Sequence, residues 1–500
     1  MIPQKYKSIL QKSSKLSFFI LINKPIGFLR DILQTRYFGL GSIADAYTIA
    51  WRIPNMFRRI LGEGLLNSVL LPDLVKIEKE ESQEIVEEVI TSITFIMQIF
   101  ITILCGLISY YSYHIITILS PGALERITYA ADMLQILSFF TFFMTFSSIL
   151  GVTVQLKKNF YIGTQAQFVL NVCFCIELFL SKRYSLSYFT MVSLITANGI
   201  IILLIHLYTF FYYKYSFRKP TKKSIMYSLF FLKKFFVALG SSVLLEANSF
   251  INISISSYLI PGMLSLLELL YTLIRLPVQV FGSSVGTTSN LDIIKAIQDN
   301  NPQNTERTIG PILKIFLLIS LATPLLIYYF GEIFFALFFY FTSVNHLNIK
   351  DVSYLFFFLS LSLFPTLSNK VLLNIFYAKE KIFITVMISL ILSIVQNIIL
   401  SFLIAKYQLL ACIIMYTFVE WMRFLCFAFY IKKYFYISIN SFINEEKLIK
   451  SSKIIIKIIA MSAFLFYILK LILMNNNFQD SILLKIVIAM VSLVYYIYHF

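Results

Sequence analysis

Charge is scarce in this chain of 500 residues: Asp, Glu, Lys and Arg make up 13%, against 58% hydrophobic side chains. Soluble globular domains carry about 25% charged residues, so that class is excluded, together with disordered and collagen-like chains. Cysteine is equally thin. The five present (Cys105, Cys173, Cys175, Cys412, Cys426) fall in apolar runs without paired spacing or a neighbouring His, which excludes a disulfide framework and a metal site. Four histidines (His114, His206, His346, His499) lie scattered, and two tryptophans complete the rare residues. Acids are the scarcer charge, 25 against 42 Lys and Arg, a net +17. In a chain this apolar the surplus marks cytoplasmic loops and an anionic ligand or membrane lipid rather than nucleic acid.

What the chain has in abundance is long apolar runs. A spanning helix needs roughly 20 such residues. Runs bounded by charge, Pro and Gly predict about fourteen spans, near 16–38, 43–72, 88–119, 130–156, 161–181, 188–213, 235–259, 263–291, 309–340, 352–378, 382–404, 408–431, 454–474 and 481–499. An even number puts both termini on one side. With that side cytoplasmic, about 26 Lys and Arg fall at cytoplasmic segments against about 6 at external ones. The cluster Lys5, Lys7, Lys12 and Lys15 precedes an apolar run broken by Lys24, Arg30 and Asp31, with no small-residue cleavage site behind it, so a retained first span is expected.

A repeat emerges at a constant offset of about 223 residues. Asp45 to Pro54 (DAYTIAWRIP) faces Glu268 to Pro277 (ELLYTLIRLP), with acid, Arg and Pro in register. Leu150 to Phe160 faces Leu373 to Phe383 at the same offset. The expected fold class is therefore an all-α membrane protein of about fourteen transmembrane helices in two pseudo-symmetric six-helix lobes. The amino-terminal lobe takes 1–215, a basic cytoplasmic linker 216–234, the carboxyl-terminal lobe 235–435 and two extra helices 436–500.

Leaving aside Arg36, Lys314 and Lys457 near the span ends, ten cations remain inside these spans: Lys24, Arg30, Arg52, Arg58, Arg59, Arg275, Lys370, Arg423, Lys470 and Lys485. Each is expensive at mid-bilayer unless it faces protein, water or a partner, so a cavity is expected. Half lie in the first two spans. Asp45, Arg52 and Arg59 recur every seven residues and share a helical face with Glu63 one turn on; Lys24 and Asp31, and Glu268 and Arg275, repeat the spacing. Pro54 and Pro277 interrupt the helical hydrogen bonds beside these stripes and predict hinges. An excess of buried cations over acids suits a multivalent anion, because Arg and Lys bind phosphate oxygens by charge-assisted hydrogen bonds. Cation pumps would show surplus carboxylates instead.

The segment Lys24-Pro-Ile-Gly-Phe-Leu-Arg30-Asp31, then Phe38-Gly39, Ala44-Asp45-Ala46, Arg52-Ile-Pro54-Asn55, Phe57-Arg58-Arg59-Ile60 and Glu63-Gly64, resembles the amino-terminal signature of the MurJ (MviN) lipid II flippases. These belong to the multidrug/oligosaccharidyl-lipid/polysaccharide exporter superfamily. Further similarity falls at Ser120-Pro121-Gly122, at Leu276-Pro277 through Gly286-Thr287, and at Lys370-Val371-Leu372 with Phe376-Tyr377. The resemblance implies cavity cations at Lys24, Arg30, Arg58 and Arg59, a cavity acid at Asp45 and a tenth-span lysine at Lys370. Lys24 stands where the family usually has Arg, so the charge survives without the planar fork. The family's eighth-span Arg aligns with Thr272, and Arg275 lies one turn along.

These readings lead to one expected function: a flippase, not an enzyme, moving undecaprenyl-diphosphate-linked lipid II to the external leaflet of a bacterial inner membrane by alternating access through a cationic central cavity. Lys24, Arg30, Arg52, Arg58, Arg59, Arg275 and Lys370 would bind the diphosphate; Asp31, Asp45, Glu63 and Glu268 would tune or gate them. No catalytic constellation, metal site or cofactor is expected, only a coupling ion or the membrane potential as driver. Membrane lipids and cell-wall synthesis machinery are the expected partners. The alternatives are an exporter of another lipid-linked oligosaccharide, of the O-antigen or capsule type, and a membrane enzyme acting on polyprenyl phosphates.

Overall fold

Hydrocarbon offers backbone groups no hydrogen bonds, so a chain crossing it must close them internally, as helices do. The computed structural model describes residues 22–60, 66–157, 159, 162–298, 302–342, 344, 347–379 and 381–437, and among them there are helices and no strand. Glu63, and the predicted spans 454–474 and 481–499, lie outside the described residues. Among the described residues, seven helical stretches are long and apolar enough to cross a bilayer: Gln83–Tyr110, Leu124–Leu156, Ile162–Arg183, Tyr188–Tyr212, Pro302–Thr342, Ile349–Phe376 and Phe383–Tyr434.

The chain divides into two compact units, Met1–Glu268 and Leu269–Phe500. The first holds α1 (22–38), α2 (Ser42–Phe57), α3 (Leu66–Glu80), α4 (Gln83–Tyr110), α5 (Ser112–Leu119), α6 (Ile127–Leu137), α7 (Phe140–Leu156), α8 (Ile162–Arg183), α9 (Tyr188–Tyr212) and α10 (Lys222–Ser256). It ends in the first turns of α11 (Met263–Gln298). The second continues α11 and adds α12 (Pro302–Thr342), α13 (Ile349–Ser360), α14 (Leu363–Ala378) and α15 (Ile382–Tyr434).

Several expected spans are interrupted. The predicted 43–72 span closes in a wider π turn at 58–60, four residues after Pro54, before α3 resumes at Leu66. A helix whose Pro54 withholds one N–H is where such a turn is easiest to accommodate. The 88–119 run breaks at Tyr111, and 130–156 at Ser138–Phe139. The runs 382–404 and 408–431, by contrast, are the two helical halves of α15, which part at Gln408, whose φ of 45° leaves the right-handed region. Residues 216–234, read as a linker, are loop to Thr221 and then helix, started by a capping box between Thr221 and Ser224.

Two apolar clusters hold the first unit together. One gathers Leu70, Leu74, Ile90, Leu150, Phe210 and Phe235; the other gathers Ile49, Ala50, Leu134, Leu137, Phe140 and Met191. α7 and α9 approach closely at Gly199, where a Cβ would lie 2.8 Å from Phe143.

The acidic stretch Glu78–Glu88 pairs with the basic stretch that follows α9. Arg218 reaches Glu87 at 2.7 Å and Glu84 at 3.0 Å, Lys223 reaches Glu81 at 2.6 Å, and Lys234 reaches Asp73 at 2.7 Å. The Lys223 hydrogen bond holds the Glu81 carboxyl below its ordinary range, with Tyr227 adding a second hydrogen bond. Exposed pairs of this kind contribute about 0–1 kcal/mol each, but together they fix α10 against the α3–α4 turn.

Candidate functional site

The first unit brings its charged residues together along two seams. In the first, Arg30 of α1 donates from Nε and Nη2 to Asp31 Oδ1, at 3.1 and 2.6 Å, and from Nη1 to Asn171 Oδ1 of α8 at 3.0 Å. Its guanidinium carbon lies 6.0 Å from the Phe174 ring centre. One residue before Asp31, Arg30 starts about 100° round the helix from it, yet the long side chain wraps back to its neighbour. Asn171 also donates to Asn23 Oδ1 at 3.3 Å, and Asn23 donates to the Thr164 carbonyl at 3.2 Å. Amides thus knit α1 to α8, and a guanidinium sits in a largely neutral setting with one carboxylate for company.

Beside this seam is a polar cavity of about 360 Å³. Asn23, Arg58, Ser147, Ser148, Gln155, Gln167 and His206 line it with several small apolar groups, and among the described residues no carboxylate lines it. Arg58 donates from Nε to Asn55 Oδ1 at 3.1 Å, within the π turn that ends α2. Asn23 and Gln167 line the cavity and also touch Asn171, so the hydrogen-bonded chain from Arg30 ends at its wall. A space lined by a guanidinium and neutral donors favours an anion or a sugar. Lys24 and Arg59 are half-buried nearby in sequence, on α1 and in the π turn.

The second seam concerns Asp45, which has no exposed surface. It was expected to sit among the cavity cations, but its Oδ2 accepts from Arg126 Nη1 at 2.6 Å and from the Gly262 amide at 2.8 Å, and its Oδ1 from the Ser265 amide at 2.7 Å. Asp45 therefore caps the amino terminus of α11, satisfying donors the helix cannot. Arg126, itself 4% exposed, spends Nη2 on the Ser257 and Leu259 carbonyls at the end of α10, at 3.1 and 2.9 Å. Gly262 joins the two helices with φ +89°, and a Cβ there would lie 2.5 Å from the Leu40 carbonyl, so glycine is required.

Sequence reasoning missed Arg126, counting it among loop cations. The signal was available, because a buried Asp45 demands a counter-charge. Glu268, the repeat partner of Asp45, instead accepts from Arg52 Nη1 at 3.2 Å, and both are half-buried. The remaining predicted residues lie in the second unit, where Arg275 is exposed, 5.9 Å from the Tyr271 ring centre, Lys370 is exposed and Thr272 half-buried. That unit has its own buried polar group: Asn369 donates to Glu420 at 3.0 Å, and Glu420 pairs with Arg423 at 2.6 Å. Pro54 and Pro277 both lie inside helices, α2 and α11.

Comparison with known proteins places these features. A family model described as "Lipid II flippase MurJ" matches residues 35–488. A relative named "Probable lipid II flippase MurJ" from Buchnera aphidicola subsp. Schizaphis graminum is 23% identical over 502 residues, covering 98% of this chain and 96% of its own. A second of that name, from Buchnera aphidicola subsp. Baizongia pistaciae, is 25% identical over 384 residues, covering 74% and 73%. Among solved structures, "Lipid II flippase MurJ, inward closed conformation" is similar with a TM-score of 0.73 at 20% identity, covering 95% of this chain and 96% of that one. An inward-facing multidrug resistance MATE family transporter of the MOP superfamily follows at 0.59 and 14%, covering 85% and 96%. At these identities the structural likenesses speak for the fold.

Proposed function

The chain belongs to the lipid II flippase MurJ family, and from that premise we propose that it carries lipid II, the undecaprenyl-diphosphate-linked peptidoglycan precursor, from the cytoplasmic to the external leaflet of a bacterial inner membrane. The observation that carries the reading is the family match over residues 35–488, and the polar cavity lined by Arg58 beside the Arg30 seam agrees with it.

Fourteen spans in two six-helix lobes, two further helices for the polyprenyl tail and both termini in the cytoplasm complete the proposed topology. The diphosphate must leave water without losing its hydrogen bonds, and Lys24, Arg30, Arg58 and Arg59 supply charged donors for it. In this scheme Asp31 occupies Arg30 when no substrate is bound and yields to the stronger anion, so the cation is never left bare. Arg52, Arg275 and Lys370 extend the cationic path, Glu63 and Glu268 tune it, and Asp45 acts through the shape of the α10–α11 turn. Alternation bends α2 and α11 near Pro54 and Pro277. No bond is made or broken; the driver is the membrane potential or an ion gradient. Cell-wall synthesis machinery that consumes lipid II is the proposed protein partner.

The test is expression of this chain in bacteria depleted of their own lipid II flippase. Restored growth with lipid II reaching the outer leaflet is expected; normal expression with lipid II still held inside would overturn the proposal.

A further inference from the structure

One carboxyl inside a span has no task in the scheme above. Glu177 lies on α8, six residues before Arg183 at its end. Its neighbours Ile176, Phe179 and Leu180 are 53%, 57% and 42% exposed, as residues that face hydrocarbon are, while Glu177 itself is half-buried. Among the described residues its hydrogen-bond partner is Asn198 of α9, whose Nδ2 donates to Oε2 at 2.7 Å, and no salt bridge reaches it.

Asn198 is 1% exposed, and its own Oδ1 receives no hydrogen bond among the described residues. An ionised Glu177 offers acceptors alone, so carboxylate and amide carbonyl would present oxygen to oxygen with nothing between. A single proton on Oε1 removes the conflict. The neutral acid then donates to Asn198 Oδ1 while its Oε2 accepts from Asn198 Nδ2, and both buried groups are satisfied.

Arg36 of α1 lies with Leu178, Phe179, Lys182 and Arg183 around a small pocket at the end of α8, and the nearby cations gather there. On α8 the titratable neighbours are the thiols Cys173 and Cys175, with Lys182 and Arg183 at the end of the helix. Residues 194–202 of α9 and all of α7 contain none. Asp132 of α6 lies by Tyr188, at the start of α9. Arg30 and Asp31 of α1 engage each other and Asn171. A charge so placed is costly, and a bound proton is the remedy within reach.

We propose that Glu177 and Asn198 form a proton-binding site, loaded as the neutral acid and emptied once in each transport cycle, so that the proton is the coupling ion of flipping. In loading, a proton from water forms the O–H bond on Oε1; in unloading that bond breaks and the proton returns to water. The role in the cycle rests on the flippase reading, whereas the proton site itself does not.

The experiment is difference infrared spectroscopy of the purified protein in lipid during a pH titration, paired with lipid II flipping by the same proteoliposomes under imposed proton gradients. A protonated-carboxyl carbonyl band is expected in the wild type and lost in Glu177→Gln. Gln keeps both hydrogen bonds of the neutral acid, so this variant is expected to fold as the wild type does. Its flipping is expected to lose all response to the proton gradient. A band unchanged in Glu177→Gln overturns the site, and an unchanged gradient response in that variant overturns the coupling. A band that titrates with Glu177 in a protein that moves no lipid II under any gradient supports the proton site and overturns the flippase reading.

Discussion

A carboxylate with no exposed surface stays charged only where every lone pair is answered, and Asp45 is answered by Arg126 and two amides of the α11 turn. Asp45→Ala leaves Arg126 as a buried cation facing two carbonyls. We expect a loss of about 3–5 kcal/mol, read as a lower melting temperature of the purified protein, with part of it recovered when Arg126 is also replaced by Leu. Equal melting of the single variant and the wild type would show that Asp45 is not a structural anchor. At this scale the sequence was partly legible. The stripe of charges in the first two spans was visible from spacing alone, as was the need for protein partners in hydrocarbon. Partner identity was not, because Arg126 and Ser265 lie 81 and 220 residues from Asp45 and neither is marked by any local pattern.

Among elements, apolar runs predicted most helices, since run length and bilayer thickness answer to one another. Breaks inside an apolar run went unseen: Tyr111 and Ser138–Phe139 carry no signal that separates them from helix interior, whereas the break at Gln408 falls at the predicted boundary between 382–404 and 408–431. Pro54 did carry one, and the π turn beyond it places Arg58 on the cavity wall. Pro54→Ala restores a backbone donor to α2, so a melting temperature at or above wild type is expected, together with flipping slowed several-fold as the hinge stiffens. Unchanged flipping would remove Pro54 from the mechanism. The acid–base seam between the α3–α4 turn and α10 predicts a pH response. Glu81 has its carboxyl lowered from 4.5, so its contribution is present above that value and fades as pH falls through the lowered one. Below about pH 4.5 the wild type should lose thermal stability more steeply than Glu81→Gln, and parallel curves would contradict the pairing.

For the whole molecule, the repeat at an offset of about 223 residues pairs Asp45 with Glu268 and Arg52 with Arg275. The structure gives the related positions different work: Asp45 caps a helix, while Glu268 holds Arg52. Internal similarity was thus a poor guide to burial as well as to partners: Arg52 is half-buried against Glu268 while Arg275 is exposed. The amino-terminal signature was the most legible feature of all, and the family match over 35–488 bears it out. The central claim is that cations buried in the first unit grip the diphosphate of lipid II. It is tested most directly by the initial rate of lipid II translocation in proteoliposomes holding equal amounts of folded wild type, Arg30→Ala or Arg58→Ala. The account predicts a fall of at least about tenfold for each variant, about 1.4 kcal/mol of lost stabilisation; rates equal to wild type in both would contradict it.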